Sequence, residues 1–194
     1  ADEDRPWSVQ DCVNWLPSQA EASGTRTPII LSTPPGLKPF LTFPSSSGET
    51  TYPIGPIRGV YNCEGSLFAV SGNALFQVSA AGVPTYIGYI PGTSRVIFAD
   101  NQIANGNQLL IVNGSSGYVY DTVAKTFTRI TDDGYPGAIN AVFSDGYLVQ
   151  IDPARRFAFN SAPADAMSYN TLDRFTSEVS PDLLVSMAVS NNEL

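Results

Sequence analysis

The chain has 194 residues, of which 43% are hydrophobic, and this content is sufficient for a folded core. Its formal net charge is −8 with only 10 lysines and arginines, which argues against a basic surface that grips nucleic acid. The sequence contains no histidine, and this excludes Ser-His-Asp and Cys-His catalytic sites and histidine-ligated zinc or iron.

Residues 1–53 lack the pattern of a sheet. An apolar stretch at 7–17 is followed by a polar stretch and then by the Pro-punctuated residues 28–37. Because proline blocks interior sheet pairing and helix propagation, such segments run extended along another surface. We therefore predict an extended N-terminal arm and linker over residues 1–53, which packs on the body or reaches a neighbouring subunit.

Residues 54–194 repeat a pattern of short apolar or alternating runs separated by turn residues, which predicts antiparallel strands joined as β-meanders. The first unit has predicted strands at 57–61, 67–70, 74–78 and 85–90. The second has them at 96–98, 109–112, 118–120 and 126–130. The third has them at 140–143, 147–151, 156–160 and 174–176, with a short helical turn at 165–172.

The three units recur at a nearly constant interval. Their second strands align on Leu67, Leu109 and Leu148, which are 42 and 39 residues apart. A four-stranded unit that recurs about every 40 residues is typical of β-propeller blades. A β-sandwich with uneven loops is the alternative, since strands at this spacing suit that fold as well.

Residues 183–189 are predicted to be the opening strand of a fourth unit. Propellers close with about four to eight blades, because an unclosed array leaves apolar faces and strand edges uncovered. Three units and one strand cannot close a ring. The prediction is therefore an all-β, incomplete β-propeller at 54–194 behind the Pro-rich arm, completed by blades from a missing C-terminal part or from a second chain.

The sequence offers few candidates for a metal site or a disulfide. Cys12 and Cys63 are favoured as thiols, and a disulfide between them is the alternative. The acidic run Asp132-Asp133-Gly134 favours a hairpin turn over a calcium loop, because its spacing fits no EF-hand. Two further acidic residues that such a calcium loop would draw on are Asp121 and Asp145.

Carboxylate pairs carry the remaining enzyme hypothesis, because a glycosidase needs no histidine. The candidate pairs are Glu178 with Asp182 and Asp165 with Asp173. The aromatic residues alternate along the predicted strands, which favours core packing over an exposed platform for glycans. We predict no catalytic residue, no cofactor and no metal, with a carbohydrate-binding propeller module and an interaction scaffold as further alternatives.

Four strings carry a family resemblance: CVNWLPSQAEASGTRTPIILSTPPGLKPF in the arm, and ADNQIANGNQLLIVNGSSGYVYD, YPGAINAVFSDGYLVQ and LDRFTSEVSPDLLVSMAVSNNEL in the body. Together they resemble the tail-hub proteins of short-tailed phages, also called packaged-DNA stabilisation or tail-nozzle proteins. This chain departs from that pattern by an additional Pro34, by Ser177 in place of the usual alanine, and by its shorter length. The matching arm positions are Asn14, Pro17, Gly24, Arg26, Pro28, Thr33, Pro35, Gly36, Leu37 and Phe40.

The resemblance implies a structural virion protein that attaches below the portal and adaptor proteins and closes the DNA channel, so that packaged DNA is retained. It implies a homo-oligomeric ring, usually a hexamer, which supports the tail needle or fibres and lets double-stranded DNA pass without sequence-specific contact. The protein would lie in the virion tail after assembly in the host cytoplasm, without a membrane partner. The residues to which we assign an assembly role are Asn14, Pro17, Arg26, Pro28, Pro35, Gly36, Leu37 and Phe40.

Overall fold

The structure is a computed structural model, and it describes residues 16–19, 29–34, 36–47, 49–103, 106–176 and 182–189. Every helix or strand assigned in these residues is a β-strand. Within the described ranges, no helix has the length and apolar character needed to cross a membrane. The chain divides into two compact units, Ala1–Thr42 and Phe43–Leu194. The division at residue 53 that the sequence suggests stays a prediction.

The first unit contains an antiparallel pair of strands, β1 (Leu16–Gln19) and β2 (Ile29–Ser32). Pro17 lies opposite Leu31 in this pair. A two-stranded sheet tolerates a proline because each strand keeps one edge that needs no N–H donor. The sequence patterns did not predict this pairing within the arm.

The second unit begins with a small hairpin and continues as three four-stranded sheets, in each of which consecutive strands are antiparallel neighbours. These sheets confirm the predicted incomplete propeller, and the sandwich alternative is wrong because each sheet is a separate meander.

The hairpin is β3 (Ser46–Ser47) and β4 (Thr50–Thr51). Blade 1 comprises β5 (Ile57–Cys63), β6 (Ser66–Ser71), β7 (Ala74–Val78) and β8 (Pro84–Tyr89). Blade 2 comprises β9 (Ile97–Asp100), β10 (Gln108–Val112), β11 (Gly117–Asp121) and β12 (Phe127–Arg129). Blade 3 comprises β13 (Asn140–Ser144), β14 (Tyr147–Ile151), β15 (Ala158–Ala162) and β16 (Asp165–Phe175).

Blade 2 is packed on both faces, and its strand β10 shows why the sequence there is continuously apolar. Successive side chains of a strand point to opposite faces. Leu109 and Ile111 join the core cluster shared with blade 1, whereas Leu110 and Val112 join the cluster shared with blade 3. All four are fully buried. Because each such side chain contributes about 1.5–3 kcal/mol on burial, this strand is a main source of cohesion between the blades.

Two of the turns have the geometry that their sequences predict. Glu64 and Gly65 have φ values of 49° and 75°, and Asp145 and Gly146 have φ values of 49° and 87°. Positive φ at both central residues is the requirement of a type I′ hairpin turn, whose twist matches that of the paired strands. Asp-Gly, the sequence at 145–146, is one of the dipeptides that favour this turn type.

The predicted helical turn at 165–172 is wrong, because these residues form the first part of β16. This strand pairs with β15 through two irregularities in register. Ala166 and Tyr169 are buried in the cluster between blades 2 and 3, and the Tyr169 hydroxyl accepts a hydrogen bond from Gln150 Nε2 at 2.8 Å. Packing between blades thus selects the strand over the local helical pattern.

Residues 182–189 belong to none of the strands that the structure assigns, so the opening strand of a fourth blade stays a prediction. The segment is attached to blade 3 by hydrogen bonds. The Leu184 N–H donates to the Arg155 carbonyl at 2.9 Å, and Arg155 Nε donates to the Leu184 carbonyl at 2.9 Å. Asn140 Nδ2 donates to Ser186 Oγ at 3.0 Å, which ties the segment to the first strand of blade 3.

Candidate assembly surfaces

The first strands of the three blades, β5, β9 and β13, lie side by side and form the inner edge of the propeller. A cavity of about 230 Å³ opens at this edge. Among the described residues that line it, Asp100 alone is charged, and most of the others are apolar. An edge of this composition does not supply the clustered cations that grip a phosphate backbone. The lining includes Tyr61, Phe98, Asp100, Val142, Phe143 and Val189.

Asp100 organises a small polar network at the end of the inner edge. The Tyr61 hydroxyl donates to Asp100 Oδ1 at 2.6 Å, and Asn107 Nδ2 donates to Asp100 Oδ2 at 3.2 Å. The Cys63 thiol lies 3.8 Å from the same Oδ2 atom. Burial and the neighbouring Asp100 charge raise the pKa of Cys63 to about 12, so this thiol is protonated and a poor nucleophile at neutral pH. Cys63 is a free, buried thiol, as predicted, while Cys12 lies outside the described residues.

Arg58 is a buried cation at the start of β5, with only 8% of its surface exposed. Its guanidinium donates to oxygens from two separate loops, the β6–β7 turn and the connection from blade 1 to blade 2. Burial lowers the pKa of Arg58, although an arginine remains charged at any ordinary pH. The acceptors are the carbonyls of Ser94 (2.7 Å), Ile90 (2.9 Å), Gly72 (3.0 Å) and Pro91 (3.3 Å) and Asn73 Oδ1 (3.4 Å).

The face of blade 1 that points away from blade 2 is covered by residues 43–47 and 49–56, which we call the cap segment. The Tyr52 ring stacks on Tyr86 with centroids 4.5 Å apart, and the Phe43 ring lies 4.8 Å from Phe76. Phe76 is fully buried on this face. The Asn73 N–H also donates to the Pro53 carbonyl at 2.8 Å, so the cap segment is held by backbone bonds as well as by aromatic packing.

Among the described residues, the outer face of blade 3 is covered only in part, by the 182–189 segment. Tyr147 and Phe175 are 38% and 47% exposed there, and both line a cavity of about 480 Å³ together with Asn160 and Asp173. A second cavity of about 250 Å³ lies between this face and the 182–189 segment, which contributes Leu184. The outer face of blade 1 is therefore capped, whereas the outer face of blade 3 exposes part of its sheet.

The predicted assembly residues of the arm lie only partly within the described chain. Asn14, Arg26, Pro28 and Pro35 lie outside it, and the backbone of Pro17 is part of β1. For Gly36, an added Cβ would meet no atom within 4 Å. Leu37 and Phe40 are 102% and 80% exposed, so these two large apolar side chains bury little surface within the chain. Their assembly role stays a prediction.

The carboxylates singled out in the sequence serve local turns where the structure describes them. Asp132 Oδ1 accepts from the Gly134 N–H at 2.7 Å, as the turn interpretation expects. Asp165 Oδ1 accepts from the Met167 N–H at 2.9 Å, whereas Asp173 lines the open cavity on blade 3. Glu178 lies outside the described residues. No group of three or more acidic or cysteine side chains within the described ranges is placed to hold a metal ion.

Two features of these surfaces were missed by reasoning from the sequence. Arg58 had no recognisable signal, because four of its five acceptors are backbone oxygens and they lie 14 to 36 positions away in the sequence. The cap segment had one, since Phe43 and Tyr52 are isolated aromatic residues in an otherwise polar stretch. Such residues need an apolar surface to cover them.

Comparisons with known proteins identify a family for this chain. Among solved structures, the chain is similar to the WD40 domain of Neurospora crassa Pan2, with 12% identity and a TM-score of 0.45; the match covers 66% of this chain and 39% of that one. No curated protein matches the chain. A family model described as "Bacteriophage P22 Gp10, beta-propeller" matches residues 30–194 and confirms the resemblance noted in the sequence. The chain therefore belongs to the Bacteriophage P22 Gp10 β-propeller family.

Proposed function

We propose that this protein is a subunit of the phage tail hub or nozzle, which attaches below the portal and adaptor proteins and closes the DNA channel. It acts without catalysis, in a homo-oligomeric ring that the family resemblance implies to be a hexamer, and it supports the tail needle or fibres. It is assembled in the host cytoplasm and ends in the virion tail. The observation that carries this proposal is the partly exposed outer face of blade 3, a surface suited to assembly.

The character of that face supports completion of the propeller by a further sheet. Tyr147 and Phe175 are exposed on it, and the 182–189 segment already lies against it through Leu184. An apolar sheet face in a propeller is normally covered by the next blade. The additional blades come from further chain or from a second chain. Residues 183–189, which belong to no assigned strand, become the first strand of the next blade when that sheet is present.

The arm supplies the contacts to neighbouring subunits or to the adaptor. Leu37 and Phe40 are exposed, and burying two such side chains in an interface contributes about 3–6 kcal/mol before the costs of association. The net charge of −8 suits a channel through which a DNA duplex passes without sticking, because phosphates are repelled by carboxylates.

The test is a double substitution, Leu37→Ser with Phe40→Ser, in protein supplied to phage particles that lack their own copy. Because both side chains are exposed, the variant should fold with an unchanged melting temperature yet fail to form rings in electron micrographs. The matched control is Val83→Ser with Val123→Ser, which removes two side chains of 59% and 60% exposure from the propeller body. Rings formed normally by the arm variant would refute an assembly role for the arm.

Removal of residues 1–40 extends this test to the whole arm. We expect the blades of the truncated protein to fold, because their core clusters lie entirely within residues 63–169. Ring assembly should be lost. Normal assembly of the truncated protein would contradict the proposal, and loss of folding would show that the arm belongs to the core of the propeller.

A second candidate function, carbohydrate binding, is favoured by the cavity of about 480 Å³ on blade 3, where Tyr147 and Phe175 accompany Asn160 and Asp173. Aromatic faces with nearby polar groups suit sugar rings. Saturable binding of a glycan that is lost in Tyr147→Ala, and kept in the control Tyr89→Ala, would favour this function over the structural role.

A further inference from the structure

The meander topology places the loops of the propeller at two opposite ends, because consecutive strands run in opposite directions. The strands β5, β9 and β13 all start at one end and finish at the other. We call the end at which they start the arginine end, and the end at which they finish the acidic end. The arginines of the described propeller residues all lie at one of these ends, whereas acidic side chains lie at both.

Six arginines that are scattered along the sequence meet at the arginine end. Arg58 starts β5, Arg95 precedes β9, Arg129 ends β12, and Arg174 lies near the end of β16. The remaining two, Arg155 and Arg156, form the turn between β14 and β15. Four of the six are exposed at the surface, namely Arg95, Arg129, Arg156 and Arg174.

The opposite end is acidic. Glu64 and Asp145 lie exposed in the β5–β6 and β13–β14 turns, and Asp121 ends β11. Asp100 and Asp165 occupy the end of β9 and the start of β16. Lys125, in the β11–β12 turn, is the one cation that the structure describes at this end.

We propose that the arginine end of one subunit docks on the acidic end of a second copy of this chain. Arginine forms bidentate hydrogen bonds with carboxylates. Complementary charges on two different surfaces of one subunit favour a head-to-tail contact between subunits. Contacts of this kind build rings when the rotation between subunits closes. The inference rests on the proposed function as a ring-forming subunit, and it identifies the surfaces that subunits share.

A second copy fits the arginine end better than a DNA duplex does. Asp132, Asp133 and Asp182 lie in the loops of the same end, and the exposed Asp173 lies there near the end of β16. A phosphate backbone of uniform negative charge would be repelled by these carboxylates. Separate carboxylates of a protein partner can each pair with one arginine and leave the intervening acidic positions uncontacted.

The experiment is sedimentation velocity of the protein at 50 and 500 mM salt. The electrostatic screening length falls from roughly 1.4 nm at the lower concentration to roughly 0.4 nm at the higher one. We expect self-association at low salt that weakens at high salt. One variant, Arg95→Glu with Arg156→Glu, changes the arginine end, and another, Glu64→Lys with Asp145→Lys, changes the acidic end. Each should raise the dissociation constant at least about tenfold. An equimolar mixture of the two should associate again, because one partner keeps its acidic end and the other keeps its arginine end.

Two single variants, Arg156→Glu and Lys125→Glu, provide the matched control because each changes the net charge by the same amount. Only Arg156→Glu should weaken association, because Lys125→Glu makes the acidic end more acidic. Wild-type protein that stays monomeric, or a mixture that fails to associate, would overturn the proposal while leaving the virion role to its own test. Binding of a short DNA duplex that is lost in Arg95→Glu with Arg156→Glu, without an effect on self-association, would also overturn it and assign the arginine end to DNA.

Discussion

Replacing Arg58 with methionine removes a buried cation while keeping much of its apolar stem. The guanidinium makes three hydrogen bonds of 2.7–3.0 Å to the carbonyls of Ser94, Ile90 and Gly72. Hydrogen bonds to charged groups contribute about 1.5–3 kcal/mol each, which gives a gross loss of about 5–9 kcal/mol. The burial of the charge itself costs several kcal/mol, and the substitution recovers that cost. We therefore expect a net loss of about 3 kcal/mol in the free energy of unfolding.

Urea unfolding followed by far-ultraviolet circular dichroism measures this change in the free energy of unfolding, because the signal reports the β-sheet content of the whole protein. The matched control is Arg95→Met, an exposed arginine in the connection that Arg58 binds, for which a change within about 0.5 kcal/mol is expected. Arg58→Lys should also destabilise, because one ammonium group cannot reach two loops at once. A loss below about 1 kcal/mol in Arg58→Met would refute the view that this side chain joins blade 1 to blade 2.

Three further predictions concern stability. The Cβ added in Gly59→Ala would lie 2.5 Å from the Val96 carbonyl oxygen, so we expect the free energy of unfolding in urea to fall by about 2–4 kcal/mol. The control is Gly65→Ala, whose Cβ meets no neighbouring atom but whose φ of 75° is unfavourable for alanine, so a fall of about 1 kcal/mol is expected. Tyr52→Ala should cost about 2 kcal/mol and speed hydrogen exchange in β7 and β8, whereas Tyr52→Phe should keep both near wild type; unchanged exchange in Tyr52→Ala would contradict the capping role. The pKa of Cys63 is raised from 9.0 to about 12, so its protonated form stabilises the folded state below pH 9 and this contribution is lost between pH 9 and 12. Melting temperatures across that window should fall less steeply in Cys63→Ala, and an equal slope would count against the assignment.

The strand pattern could be predicted from local sequence because turn chemistry and side-chain alternation are local properties. The Asp145-Gly146 turn requires positive φ at both positions, and β10 is apolar at every position from Leu109 to Val112 because it is covered on both faces. The same local reasoning failed at 165–172, where the burial of Tyr169 between two blades selects an irregular strand.

By itself, the sequence determined the all-β class, the three meanders and their interval, because each depends on residues close together along the chain. Only the tertiary structure decided that Tyr52 caps blade 1 and that Arg58 joins two loops, since their partners are distant in sequence. It also decided where the arginines cluster. Arginines that are scattered along the sequence share one end of the propeller because antiparallel strands return every second loop to the same side.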